Sequence, residues 1–193
     1  MYLCCIAICR GGPIILCHND NQEGNWIKYK RRNKKENILK LYLIDYEYSG
    51  YNYRGFEFAN LFNEFTICYE EAFPGFTIIP EDFPEDETMK TFLRYYINSF
   101  DGKAAESNIS KLPLDCQSSA SEALRGLDSD SVLWETKALL PASHLLWALW
   151  SFVMYRAKIG FDDDRVEDPT FSQLQYGHAR ANMYEQTKRS TVS

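Results

Sequence analysis

The first patterned stretch of the chain is a short apolar run, Ile14-Ile15-Leu16, set after the turn Gly11-Gly12-Pro13 and before the polar segment His18 to Asn25. An unbroken apolar run bounded by turn residues predicts a buried strand. Trp26 to Lys30 and Ile38 to Ile44 read as two more strands around the polar, mostly basic turn Arg31 to Asn37, a hairpin with a long solvated tip. From Gly55 to about Tyr69 the spacing of Phe56, Ala59, Leu61, Phe62 and Phe65 fits a helix with one buried face. Glu71 to Pro84, interrupted by proline, predicts a surface loop, and a second helix runs from Pro84 or Glu85 to about Phe100. Gly102 to Asp130 is rich in Ser, Asp and Gly and carries only a weak helical pattern. Leu139 to Ile159 is apolar almost all round, which predicts a helix buried on most faces with Pro141 in its first turn or kinking it. Gly160 and the acidic run Asp162 to Asp164 end that helix, and a last one spans roughly Phe171 to Lys188. With no internal repeat and no linker, the pattern predicts a single α+β domain, mainly helical.

Composition narrows the function classes. The 193 residues are 45% hydrophobic and 25% charged, the range of ordinary globular chains, and 15% aromatic, more than a core of this size requires. A net charge of −6 argues against a broad nucleic-acid-binding face and for neutral or cationic partners. The cysteines Cys4, Cys5, Cys9, Cys17, Cys68 and Cys116 form no CxxC pair and read as reduced thiols. Tyr2 to Ile8 is too short to span a membrane and lacks a basic leader, so the expectation is a cytoplasmic protein without stable membrane insertion.

The chemistry concentrates after the first strand. Asp20 and Asn25 stand five residues apart in one polar loop, and Asp45 ends the second hairpin strand, the layout of a kinase catalytic loop followed by a metal-binding aspartate. Phosphoryl transfer needs a carboxylate to orient the acceptor hydroxyl and take its proton, which suits Asp20, and oxygen ligands for Mg²⁺, which suits Asn25 and Asp45. Trp147 and Trp150, three apart on a helix, share a face and either wall a cage or pack in the core of a buried helix. His18 is expected to brace the loop and His144 to pack within its helix; His178 and Arg180 read as surface residues of the last helix. The Asp162 to Asp164 run reads as solvated.

Three blocks carry a more specific signal: Cys17-His18-Asn19-Asp20 through Gln22-Glu23-Gly24-Asn25; Leu43-Ile44-Asp45-Tyr46-Glu47-Tyr48-Ser49-Gly50-Tyr51-Asn52-Tyr53-Arg54-Gly55-Phe56; and Ala142-Ser143-His144-Leu145-Leu146-Trp147-Ala148-Leu149-Trp150-Ser151. Together they resemble the choline/ethanolamine kinase family, in order, from about Ile14 to Lys188. The resemblance implies a protein-kinase-like C-terminal lobe over residues 14–193, preceded by an atypical segment 1–13, with the N-terminal ATP-clamping lobe largely absent. It implies ATP and Mg²⁺, Asp20 as catalytic base, Asn25 and Asp45 as metal ligands, and Glu47 near metal and acceptor. The acceptor pocket it implies is Tyr48, Glu64, Tyr69, Trp147, Trp150, Phe171 and Tyr176. A quaternary ammonium has no N–H to donate, so aromatic faces with a carboxylate nearby suit it independently of any resemblance.

Asn21, Trp26 and Gln173 depart from the family's usual residues, the last where an aromatic is common. The resemblance further implies choline or ethanolamine as acceptor, phosphocholine for phosphatidylcholine and phosphatidylethanolamine synthesis as the outcome, no nucleic-acid partner, and a homodimer. Two readings stay open: an ATP-dependent choline kinase that also takes ethanolamine, and a non-catalytic lobe that binds choline or regulates a full-length kinase.

Overall fold

The computed structural model describes residues 12–32, 37–70, 72–99, 127–159 and 170–192. Within these residues six short strands form three separate antiparallel ribbons beside four α-helices. The strands are β1 (Ile14–Cys17), β2 (Trp26–Arg32), β3 (Asn37–Leu43), β4 (Gly50–Tyr53), β5 (Ile67–Tyr69) and β6 (Phe76–Ile78). The helices are α1 (Arg54–Glu64), α2 (Asp86–Asn98), α3 (Ser129–Ile159) and α4 (Gln173–Val192). β1 pairs with β4, β2 with β3 and β5 with β6, so the loop after β1 and the turn after β3 are brought together by β4 returning alongside β1.

The predicted hairpin forms, with Trp26 opposite Leu43 and Lys30 opposite Leu39. The β1 strand also forms, but its predicted burial does not: Ile14 and Leu16 face solvent, and Cys17 alone is buried. A two-stranded ribbon covers only one of its faces, so every second side chain stays outside. The first predicted helix ends five residues early. Phe65 and Thr66 make a turn, after which Ile67 to Tyr69 pairs with Phe76 to Ile78 where a loop was expected.

α3 is the organising element and packs against α1, α2 and α4. It begins ten residues before the predicted start, because Val132, Leu133, Thr136, Leu139 and Leu140 form one buried stripe although polar residues lie between them. Pro141 therefore sits inside the helix rather than in its first turn, and beside it Asn63 Nδ2 donates to the Leu140 carbonyl at 3.0 Å, tying α1 to that point. The expectation that this helix is buried on most faces is also corrected: Leu145, Leu146, Leu149 and Val153 are exposed, since α1 and α4 cover one side of it. By length and composition the stretch Ser129–Lys158 could cross a membrane, yet here it is the hub of the helix packing.

Two clusters tie α1 to its neighbours. Phe58 and Phe62 meet Met89, Leu93, Val132 and Leu133, while Phe56 and Ala59 meet Leu139 and Leu140. Gly55 permits the closest approach of α1 to α3, since a Cβ there would stand 2.6 Å from the Glu135 carbonyl oxygen. At the same crossing the Arg54 guanidinium grips the Glu135 carboxylate through both ends, at 2.8 to 3.0 Å, with both side chains largely withdrawn from water. A third cluster of Ile67, Phe76, Trp147 and Tyr176 joins β5 and β6 to α3 and α4. The segments 102–126 and 161–169, with the acidic run Asp162 to Asp164, lie outside the described residues.

Candidate active site

The loop from His18 to Asn25 is held from α1. Glu57 accepts the backbone N–H of His18 at 3.0 Å and of Asn19 at 2.9 Å, and Asn60 Oδ1 accepts that of Asn21 at 2.7 Å. Asn19 adopts the left-handed conformation, φ 68°, stabilised by its side chain, which donates to the Tyr48 carbonyl and accepts from Asn52 Nδ2. Asp45 is also left-handed, φ 63°, ψ 68°. Both are residue types that tolerate this region, and such strain collects where a site must be aimed.

His18 links the two segments. The Ile44 carbonyl can only accept, so His18 Nε2 donates to it at 2.8 Å, and Nδ1 is left to accept the Asp20 N–H at 3.3 Å. Both ring nitrogens are engaged in bracing, as the sequence reading expected.

Asp20 is buried, and Asn25 Nδ2 donates both to its carboxylate and to its carbonyl at 2.9 Å. That bond turns Asn25 Oδ1 away from Asp20 as the amide's remaining acceptor. Burial first, and then the neighbouring Glu64 carboxylate, raise the Asp20 carboxyl above its ordinary value, while the bonds from Asn25 and Gln22 act the other way.

A cavity of about 350 Å³ opens from Asp20 between the turn after β3, α1, β5, α3 and α4. Ten of the eleven candidate residues line it: Asp20, Asp45, Glu47, Tyr48, Glu64, Tyr69, Trp147, Trp150, Phe171 and Tyr176. The eleventh, Asn25, is bonded directly to Asp20. Asp45, Glu47 and Tyr48 are exposed at the mouth, whereas Glu64, Trp147 and Tyr176 are buried.

Three rings stand edge to face at one end, with Tyr48 5.5 Å from Trp147 and 6.4 Å from Trp150, and the two indoles 5.4 Å apart. Trp150 Nε1 donates to the Tyr48 hydroxyl at 3.0 Å, fixing the corner. At the other end Phe171 and Tyr176 lie 5.3 Å apart, with Phe76 behind Tyr176. Ring faces around a space of this size, with carboxylates at its mouth and along its wall, suit a small organic cation.

Three residues that matter here escaped the sequence reading. Glu57 and Asn60 hold the loop, and nothing local marks them among the other polar residues of α1. Arg180, expected on the surface, is fully buried and pairs with Glu64 at 2.8 Å. A signal for it existed: Tyr176 and Arg180 are four apart on one helix, so a pocket residue at the first places the second on the same face. Gln173 also lines the cavity, its Oε1 accepting from Ser151 Oγ at 2.8 Å, so the position that departs from the family is a tied polar wall.

Comparisons with known proteins place the chain in a family. The family model for choline/ethanolamine kinase matches residues 8–185. The chain is 35% identical over 178 residues to choline kinase alpha of Mus musculus, covering 92% of this chain and 34% of that protein. It is 32% identical over 182 residues to a choline/ethanolamine kinase of Homo sapiens, covering 94% of this chain and 40% of the relative. A probable ethanolamine kinase of Arabidopsis thaliana is 31% identical over 181 residues, covering 94% and 37%. Among solved structures, Plasmodium vivax ethanolamine kinase superposes with a TM-score of 0.61 at 21% identity, over 95% of this chain and 37% of that one, which shows a shared fold. The chain thus spans between a third and two fifths of the length of these relatives. The chain belongs to the choline/ethanolamine kinase family.

Proposed function

We propose that the cavity is the acceptor site of an ATP-dependent kinase that phosphorylates choline, with ethanolamine as the poorer acceptor. The observation that carries this reading is that the carboxylate of Asp20 and an aromatic enclosure share one cavity. The enclosure holds the trimethylammonium head against ring faces, leaving the hydroxyl end to reach Asp20.

Asp20 then orients that hydroxyl and takes its proton as the oxygen bonds to the γ-phosphorus and the bond to the bridging oxygen of the departing diphosphate breaks. Its raised affinity for a proton fits that task. His18 and Glu57 keep the loop in place during the transfer.

The donor set fits Mg²⁺. Asp45 offers a carboxylate and Asn25 an amide oxygen, hard ligands of the kind this ion takes when phosphate and water complete its shell. Bound there, Mg²⁺ would offset charge on the phosphoryl oxygens.

A second reading, a lobe that binds choline without turning it over or that regulates a full-length kinase, draws on the aromatic enclosure alone, which would hold the amine whether or not it is phosphorylated. The test is ATP-dependent phosphorylation of choline and ethanolamine by the purified chain, with Asp20→Asn as control. Turnover that vanishes in the variant supports the kinase. A folded chain without turnover, whose tryptophan fluorescence still responds to choline, supports the binding lobe, and no response to either amine sinks both the kinase and the choline-binding lobe.

A further inference from the structure

The buried wall of the pocket closes on itself. Arg180 Nη1 donates to Glu64 Oε1 at 2.8 Å and to the Tyr176 hydroxyl at 3.4 Å. Tyr69 donates its hydroxyl proton to Glu64 Oε2 at 2.9 Å, because a carboxylate can only accept. Tyr69 has a single proton, so across the 3.2 Å contact between the phenols Tyr176 must be the donor. The four groups therefore form a ring of bonds with every direction fixed, running from Arg180 through Tyr176 and Tyr69 to Glu64 and back.

Burial holds both phenols protonated, Tyr176 pushed up to about 12, which keeps these donors in place. His144, the other titratable group beside Arg180, is held neutral by burial and by the guanidinium, its pKa pushed down to about 2, so it does not compete for Glu64. Among the described residues, no cation lines the cavity itself. Arg180 reaches the wall from behind, out of contact with the cavity.

We propose that Arg180 sets the choice of amine: by pairing with the Glu64 carboxylate from behind, it cancels the buried negative charge of that wall and fills one of its acceptor sites. The inference rests on the acceptor-pocket reading above. A primary ammonium brings three N–H donors into the pocket and meets there a buried carboxylate whose charge is already paired and two of whose roughly four acceptor sites are filled, so its donors recover less than they lose on leaving water. A quaternary ammonium has no such donors to satisfy and loses nothing at that wall. Asp45 and Glu47 do not substitute, since they lie at the exposed mouth, and Asp20 serves the hydroxyl end of the acceptor in the reading above. Arg180 is thus a positioning residue that acts through Glu64, Tyr69 and Tyr176.

The test is the dissociation constant of choline and of ethanolamine, read at pH 8 from tryptophan fluorescence in the full chain, with far-ultraviolet circular dichroism as the check on folding. In the wild type choline binds at least tenfold more tightly. In Arg180→Met the ratio of the two constants falls at least tenfold towards ethanolamine, because Glu64 is released to accept from N–H. In the double variant Glu64→Gln/Arg180→Met the ratio returns towards the wild-type value, since the released charge is gone. A purely structural role would weaken both amines together and leave the ratio unchanged in Arg180→Met, which overturns the proposal while leaving the pocket reading intact.

Glu64→Gln alone keeps the proposal exposed even where Arg180→Met does not fold. Its ratio stays within twofold of wild type if Glu64 does not meet the ammonium, and a tenfold change overturns the proposal. A wild type that binds ethanolamine as tightly as choline overturns it too. A wild type that binds neither removes the acceptor pocket and this inference with it.

Discussion

Between α1, α3 and α4 the cavity is tied from behind: Glu57 and Asn60 hold the backbone of the loop that carries Asp20, Ser151 bonds Gln173 and Arg180 bonds Glu64, each at 2.7 to 3.0 Å. On the other side, the β1–β4 ribbon leaves Ile14, Leu16 and Tyr51 62%, 71% and 84% exposed, and the β2–β3 ribbon leaves Leu39 and Leu41 outward as well. The contrast separates two ways of making structure. Helices packed on α3 give the pocket a rigid back against which polar groups can be aimed, while the ribbons rest on their own ladders and on anchor points at their ends. Isolated two-stranded ribbons are marginal in water, so those anchors matter: the Arg54 N–H to the Pro13 carbonyl at 2.9 Å, and Glu57 on the loop that follows β1. Substitutions should therefore be costly on the pocket side and cheap on the outer ribbon faces.

The largest effect expected is Asp20→Asn, which should lower choline phosphorylation by a factor on the order of 10² to 10⁴, the usual share of a general base. Choline binding, followed by tryptophan fluorescence, should change little, since the aromatic rings stay in place. An equal loss of binding would mean that Asp20 shapes the pocket rather than the chemistry.

Arg54→Met comes next. It strands the Glu135 carboxylate at the crossing of α1 and α3, and breaking a buried pair of this kind costs about 3 kcal/mol or more, readable as a lower midpoint in urea. A loss below about 1 kcal/mol would show that the crossing is held by its apolar contacts alone.

His144 gives a pH signature. Its folded value, pushed down to about 2, lies below the unfolded value of 6.5, so the unfolded chain binds the extra proton as pH falls. The sign is then fixed: this residue costs nothing above pH 6.5, and below it removes about 1.4 kcal/mol of stability per pH unit until the folded state is protonated too. His144→Gln should flatten the acid side of the stability curve by one proton, and an unchanged slope would place that proton elsewhere.

The smallest effects belong to the open ribbon face. Leu16→Ser or Tyr51→Ser should change stability by no more than about 0.5 kcal/mol, as at other exposed positions. A loss of about 2 kcal/mol at either would mean that the face is covered in solution, and the contrast between the two halves would fail.

Legibility in the sequence followed the same division. The hairpin, the polar loop between β1 and β2, and the shared face of Trp147 and Trp150 were readable because their signals are local: alternation, turn residues, and helical spacing. The β5–β6 ribbon was not, since its strands are three residues each and the second lies in a proline-broken stretch. The early turns of α3 were hidden by Asp130, Glu135 and Lys137 between its buried positions, although Val132, Thr136, Leu139 and Leu140 keep the spacing of one face. Arg180 was misplaced on the surface because an arginine in isolation is a poor core residue. Its burial depends on Glu64, more than a hundred residues away, and no periodicity reports a pairing across that distance.

The central claim is that the cavity recognises a cation by ring faces, and the most direct measurement compares choline with its neutral isostere 3,3-dimethylbutan-1-ol, which has the same shape and no charge. Titrated against the tryptophan fluorescence of the wild-type chain, choline should bind at least tenfold more tightly, about 1.4 kcal/mol. Equal affinity for the two would contradict the claim, leaving an apolar pocket that selects for shape alone.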